Sequence, residues 1–293
     1  MATTTEVRDL GAKSLQALYT LYLFTKSDTI LVVVPSLIVA MVAAGPADLV
    51  TVFHALLWME LHLLAFNIKN QTIGIEEDKL CKPHRPFASG RVSLEYALLM
   101  YIIAVAVAVS FSFYHGLQLL SLTYFLGTTA YNEFGLAKSL ILKSPMGAWG
   151  YMCYCWGPTY IIGGHQPLST TSVHGIAASV VIFALTGHAQ DFRDRSGDAV
   201  MGRKTIPLAF PQWVSRGYLI TAMAGLTYGL SKRWSPPPVV AGVFALLCLI
   251  TAIKFSLKRT EEDDRKSFRW YELWLICAHL LPVFERRQAW NID

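Results

Sequence analysis

The sequence predicts an all-α integral membrane protein with nine transmembrane helices, and three observations predict it. Hydrophobic residues make up 54% of the 293 and charged residues only 15%, where a soluble domain carries about 25% charged residues. Mean hydropathy is +0.41. Nine separate apolar segments approach the roughly 17–25 residues that span a bilayer as a helix. Lys and Arg collect in alternate connections between those segments. The composition excludes a disordered chain, which is far less apolar. It also argues against a soluble helical bundle, because nine such segments would leave almost no polar surface.

Taken in order, the first segment is 29–44, with Asp28 placed to cap it. Segments 49–66, 92–114 and 117–137 follow, the last two separated only by His115 and Gly116. The fifth and sixth are 145–163 and 173–189; 214–230, 238–257 and 268–284 complete the set. With these nine, 21 of the 25 Lys and Arg fall on one side; only Lys232, Arg233, Arg286 and Arg287 fall on the other. Positive charge stays in the cytosol, so the N-terminus is predicted cytosolic and the C-terminus lumenal. The N-terminal segment 1–26 carries Glu6 and Asp9 before any apolar core, which is unlike a cleaved signal or a transit peptide. The first span then serves as an uncleaved targeting element, and the endoplasmic reticulum is the predicted membrane. The whole chain, 1–293, reads as one membrane domain, and the charged run 261–266 as a solvated connection. Five cysteines show no zinc or disulfide spacing.

Six of the twenty acidic residues lie in two cytosolic connections. One carries Asn70, Glu76, Glu77 and Asp78, followed by Lys82-Pro83-His84-Arg85-Pro86; the other carries Asp191, Asp194 and Asp198, followed by Gly202-Arg203-Lys204-Thr205. They follow the second and the sixth segments, which suggests a duplicated four-helix unit with one carboxylate element in each half. Asp191, Asp194 and Asp198 stand at i, i+3 and i+7, and Asn70 and Asp78 are eight apart, so a helical extension would put each set on one face. Converging carboxylates repel and need cations. Hard oxygen ligands favour Mg²⁺, which bridges carboxylates to substrate phosphates. The interspersed Arg85, Arg193, Arg203 and Lys204 supply anion-binding charge. On spacing alone two other readings stay open: ordinary solvated loops, and a cation transporter. Against transport, the acids sit at loop level rather than inside the helices.

These residues resemble the UbiA superfamily of intramembrane prenyltransferases. The first family motif is matched by Asn70, Asp78, Lys82-Pro83-His84-Arg85-Pro86 and Ser89-Gly90; the second by Asp191, Asp194, Gly197, Asp198, Gly202, Thr205 and Pro207. Tyr131 and Lys138 look like the family's tyrosine-lysine pair near the diphosphate, with Lys143 as a rival lysine. One family aspartate is Gly74 here, with Glu76 and Glu77 crowded against Asp78. That pattern is similar to the fungal branch that cyclises prenyl diphosphates, including bergamotene-type sesquiterpene and cyathane-type diterpene cyclases.

The resemblance implies a Mg²⁺-dependent terpene cyclase acting on farnesyl or geranylgeranyl diphosphate; the alternative is an aromatic or quinone prenyltransferase. It implies metal ligation by Asn70, Glu77, Asp78, Asp191, Asp194 and Asp198. Arg85, Lys138, Arg193, Arg203 and Lys204 would hold the diphosphate, with Tyr131 donating a hydrogen bond. Phe66, Tyr124, Phe134, Tyr151, Tyr154 and His188 are candidates for an apolar cavity in which aromatic faces stabilise a cation. The lipid bilayer and the prenyl diphosphate are the implied partners. Neither nucleic acid nor a protein partner is implied, because the net charge of +5 is spent on topology and diphosphate.

Overall fold

The computed structural model describes residues 4–257 and 259–285, and among the described residues there is no strand. α1 (Thr4–Asp28) runs through a π-helical turn (Thr29–Val33) into α2 (Val34–Ala44). The predicted segment 29–44 is thus the apolar end of a longer continuous helix. Asp28 caps nothing: it lies inside that helix and makes no capping hydrogen bond. α3 (Leu49–Ile73) is capped by Asp48, whose Oδ1 accepts from the Val50 and Thr51 amides at 2.9 and 3.0 Å. Then come α4 (Ile75–Cys81), α5 (Ala97–Tyr114), α6 (Gln118–Asn132), α7 (Lys143–Ile162) and α8 (Thr170–Thr186). A 3₁₀ turn (Gly187–Phe192) leads into α9 (Arg195–Val200), and α10 (Ile206–Ala209), α11 (Gln212–Trp234), α12 (Pro238–Leu257) and α13 (Glu261–Leu280) complete the order.

Each of the nine predicted segments is helical over most of its length. By length and composition, five stretches among the described residues are long and apolar enough to cross a membrane: Gly11–Ala44, Leu49–Ile73, Leu94–Tyr114, Thr170–Phe192 and Pro238–Leu257. Leu98, Ile102, Leu119, Leu126, Val239 and Leu249 all face outward and exposed, as lipid-facing positions do, since no water is needed where every backbone group is bonded within its helix. α7 sits centrally, packed on α2, α3, α6 and α8, while α13 packs on α12 and α2. Two buried tryptophans are paired between helices: Trp58 Nε1 donates to Ser112 Oγ at 2.8 Å, and Trp274 Nε1 to Thr227 Oγ1 at 2.9 Å.

The run 261–266 is helical rather than a connection, and only part of it is solvated: Glu262, Arg265 and Lys266 are exposed. It forms the first turns of α13, capped by Thr260. Asp264 is fully buried and accepts from both Arg216 (2.8 and 2.9 Å) and Arg195 (2.6 Å). Glu261 accepts from the Ser196 amide and hydroxyl, each at 2.7 Å. Both residues therefore anchor the segment that carries the second carboxylate motif.

Candidate active site

Neither motif is a continuous helical extension. α3 stops at Gly74, whose amide donates to the Asn70 carbonyl at 2.8 Å, and α4 restarts one residue later. The break splits the motif between two environments. Asn70 on α3 and Glu77 on α4 line a cavity. Asp78 turns away from it and receives Arg85 Nη1 on both oxygens, at 2.9 and 3.1 Å. In the second motif Asp191 belongs to the 3₁₀ turn, Asp194 precedes α9, and Asp198 lies on α9. All three line the cavity despite the broken helix.

Gly197 explains how the two motifs come together. A Cβ there would stand 2.7 Å from Glu77 Cγ and 3.0 Å from Cys81 Sγ, so only glycine lets α9 lie against α4. Two cations bridge the contact. Arg203 Nη1 reaches Glu77 Oε2 at 2.7 Å and Asp198 Oδ1 at 3.0 Å. Lys82 Nζ reaches Glu77 Oε1 at 3.5 Å and Asp194 Oδ2 at 3.4 Å. From α7, Lys143 Nζ adds Asp191 at 2.8 Å and Asp198 at 3.4 Å. Gly202 takes a left-handed φ of 65°, which turns the chain so that the Arg203 amide bonds the Asp198 carbonyl at 2.9 Å. The electrostatics separate the carboxylates. Burial raises the Asp78 carboxyl, and the nearby Arg85 and Lys82 only partly oppose it. Burial also acts to raise Asp194, but Lys82 and Arg193 outweigh it and hold that carboxyl below its ordinary range.

Beyond this charged end the cavity is aromatic. Phe66, Trp149, Tyr151, Tyr154, Tyr124 and Phe183 line it together with Leu31, Val32, Leu63 and Met146. The hydroxyls of Tyr124 and Tyr154 bond each other at 2.9 Å. Glycines let the walls close in: a Cβ at Gly127 would fall inside the Trp149 ring, and one at Gly147 would stand 2.9 Å from Phe183.

Five sequence expectations need correction. Asp78, expected as a metal ligand, does not line the cavity, because both its oxygens are committed to Arg85. Lys138 is exposed on a 3₁₀ turn outside the cavity, and Lys143 is the lysine at the site. Lys204 is also exposed; its amide merely donates to the Lys138 carbonyl at 3.1 Å. Phe134 is 78% exposed and lines nothing. Arg193 does not line the cavity; its guanidinium lies 3.9 Å from the Phe268 ring centroid and its Nε 3.8 Å from Asp194. By contrast Asn70, Glu77, Asp191, Asp194, Asp198, Arg85, Tyr131, Arg203, Phe66, Tyr124, Tyr151, Tyr154 and His188 all line one cavity.

The profile of the UbiA prenyltransferase family matches residues 32–276. The chain belongs to that family. A fumagillin beta-trans-bergamotene synthase of Aspergillus fumigatus is 41% identical over 280 residues, covering 96% of this chain and 97% of that one. A polyprenyl transferase of Hericium erinaceus is 34% identical over 173 residues, 57% of each chain. A solved UbiA homolog from Archaeoglobus fulgidus bound to DMAPP and Mg²⁺ superposes with a TM-score of 0.65 at 15% identity, over 89% of this chain and 98% of that one. This protein is thus an integral membrane protein with the all-helical UbiA fold.

The donor set in this UbiA cavity fits a hard divalent cation. It is made of carboxylate and amide oxygens, and the buried Asn67 amide lines the cavity with neither Oδ1 nor Nδ2 hydrogen-bonded among the described residues. No three His, Cys, Asp or Glu side chains among the described residues lie close enough to share an ion; each motif carboxylate is instead held by a Lys or Arg. Sequence reading missed Asn67, Gln190 and Asp28 and gave Lys82 of the first motif no role of its own; all four line the cavity. Asp28 faces Arg85 at 3.7 Å, from a π-helical distortion of the kind common at functional sites. Lys143 did carry a signal: with Gly147, Gly150 and Tyr154 it makes an i, i+4, i+7, i+11 face of α7, and all four line the cavity.

Proposed function

We propose that this protein is a membrane-embedded terpene cyclase that ionises a prenyl diphosphate, farnesyl or geranylgeranyl, and closes the resulting carbocation to a terpene hydrocarbon. The observation that carries this reading is 41% identity, over nearly the whole of both chains, to a bergamotene synthase. The cavity supports it: a cluster of Lys, Arg and carboxylates caps a chamber of aromatic rings.

The charged end would bind the diphosphate. Lys82, Lys143 and Arg203, now spent on carboxylates, would turn to the phosphate oxygens, with Tyr131 beside them. The carboxylates they release, Glu77, Asp191, Asp194 and Asp198, would with Asn67 and Asn70 hold Mg²⁺. Bound there, Mg²⁺ supplies positive charge that neutralises the departing diphosphate. Asp78 would act at one remove, by fixing Arg85 at the cavity wall. After ionisation Trp149, Tyr151, Tyr154 and Phe66 would exclude water and present ring faces to the cation. The nine-span topology, with both motifs on the cytosolic face of the endoplasmic reticulum and the C-terminus lumenal, completes the proposal; 1–293 would then act as one domain.

Membranes carrying the protein, given Mg²⁺ and each prenyl diphosphate without an acceptor, should yield a hydrocarbon by gas chromatography. Chelation should stop diphosphate release and added Mg²⁺ restore it, and Asp191→Ala or Asp194→Ala should abolish it. Turnover only when an aromatic or quinone acceptor is present would sink the cyclase reading. It would favour a prenyltransferase, which the similarity to the Hericium polyprenyl transferase supports.

A further inference from the structure

We propose that His188 is the base that ends the reaction by taking a proton from the last carbocation. The proposal rests on the cyclase reading above. His188 is only 2% exposed and lines the cavity, and neither Nδ1 nor Nε2 makes a well-formed hydrogen bond among the described residues; the Leu185 carbonyl offers at most a weak contact. Buried polar groups are ordinarily bonded, and the other buried imidazoles, His62, His115 and His279, each bond through at least one ring nitrogen, although Nε2 of His115 and of His279 has no partner among the described residues. His62 Nδ1 lies 2.7 Å from the Trp58 carbonyl and its Nε2 lies 2.8 Å from Ser121, while His279 Nδ1 lies 2.6 Å from the Leu275 carbonyl. The His188 ring is held by stacking on Tyr218 of α11, with centroids 5.0 Å apart and planes at 29°. Its place in the chain is also apt. It follows Gly187, which packs against the Phe183 ring of the aromatic chamber, and precedes Asp191 of the charged end by three residues.

The cations at the cavity, Lys82, Lys143, Arg85 and Arg203, have no lone pair to offer. In the proposed working site the motif carboxylates are committed to Mg²⁺ or, for Asp78, to Arg85. Tyr124 and Tyr154 spend their hydroxyls on each other. The Tyr151 hydroxyl has at most a weak contact with Ser36, but a neutral phenol oxygen is a far weaker base than an imidazole nitrogen. In the step itself, a C–H bond beside the cationic carbon breaks and its electron pair becomes the new C=C bond. The proton joins the nitrogen lone pair to give imidazolium. The positive charge thus passes from carbon to the ring, and the imidazolium then returns the proton to the departing diphosphate.

The test compares His188→Phe and His188→Gln with wild type in Mg²⁺-containing membranes, reading released diphosphate and product mixture separately. The wild-type hydrocarbon should drop to about a tenth of its share while diphosphate release falls by no more than about threefold. Isomeric alkenes, or alcohols from capture of the cation by water, should replace it. Gln keeps hydrogen-bonding capacity without a basic nitrogen, so it should behave as Phe does; rescue by Gln would mark a merely positioning role and overturn the proposal. An unchanged product ratio in either folded variant, checked by thermal melting, would overturn it too, because the diphosphate would then be the base. So would parallel loss of diphosphate release and hydrocarbon. A wild-type protein that forms no hydrocarbon without an acceptor would fail at an earlier point and remove the cyclase reading itself.

Discussion

Lys143 and Lys138 separate a residue that meets the site from one that only resembles such a residue in sequence. Lys143 Nζ touches two motif aspartates, at 2.8 and 3.4 Å, whereas Lys138 is exposed. Removing a donor aimed at a developing anion costs about 10²–10³ in rate. Lys143→Ala should therefore slow diphosphate release by about 100-fold or more, while Lys138→Ala stays at the wild-type rate. Equal losses in both would return the pair to the sequence assignment. The same logic governs Arg85. It is buried between Asp78 and Asp28, so Arg85→Ala leaves two carboxylates without their cation. Breaking such a buried pair costs about 3–5 kcal/mol, and a lowered melting temperature should accompany the lost activity.

At the level of elements, the site depends on how short helices meet rather than on any one of them. α4 and α9 approach because Gly197 has no side chain, and a Cβ there would meet Glu77 Cγ, a mid-chain atom that can yield only if the whole Glu77 side chain moves. Gly197→Ala should displace Glu77 and lower kcat/KM by about 100-fold, as small misplacements in active sites do. Its melting temperature should change little; a large fall would mean that the substitution unfolds the motif instead of shifting it. α13 holds α9 from the other side through Asp264 and Glu261. That function was illegible in the acidic and basic run 261–266, because charge alone does not say which residues another element will bury.

For the whole molecule, cavity depth and membrane topology are the properties to test. Trp149 lies over Gly127 and forms part of the chamber wall. Trp149→Ala should open the chamber and shift kcat/KM toward the longer prenyl diphosphate by about tenfold, in keeping with the energy of filling a hydrophobic pocket. An unchanged preference would place the length-limiting wall elsewhere. The proposed nine spans put the C-terminus on the lumenal side. A glycosylation acceptor fused after Asp293 should accordingly be modified, and one fused at the N-terminus should not; the reverse result would invert the orientation, and the same result at both ends would remove the odd number of spans.

By itself the sequence determined the helical membrane class, the positions of the apolar segments and the two carboxylate motifs. Each of these is written in local composition or spacing: apolar runs long enough for lipid, and acids crowded where acids are scarce. Tertiary structure alone decided that Lys143 and not Lys138 faces the acids, that Asp78 is committed to Arg85, and that Asn67 and Asp28 join the cavity. Helical period fixes which residues share a face. It does not fix which neighbour that face meets, and at Gly74 and across the 3₁₀ turn before α9 the period itself is broken. The site is assembled by packing between α3, α4, α7 and α9, and packing is a property of the folded chain.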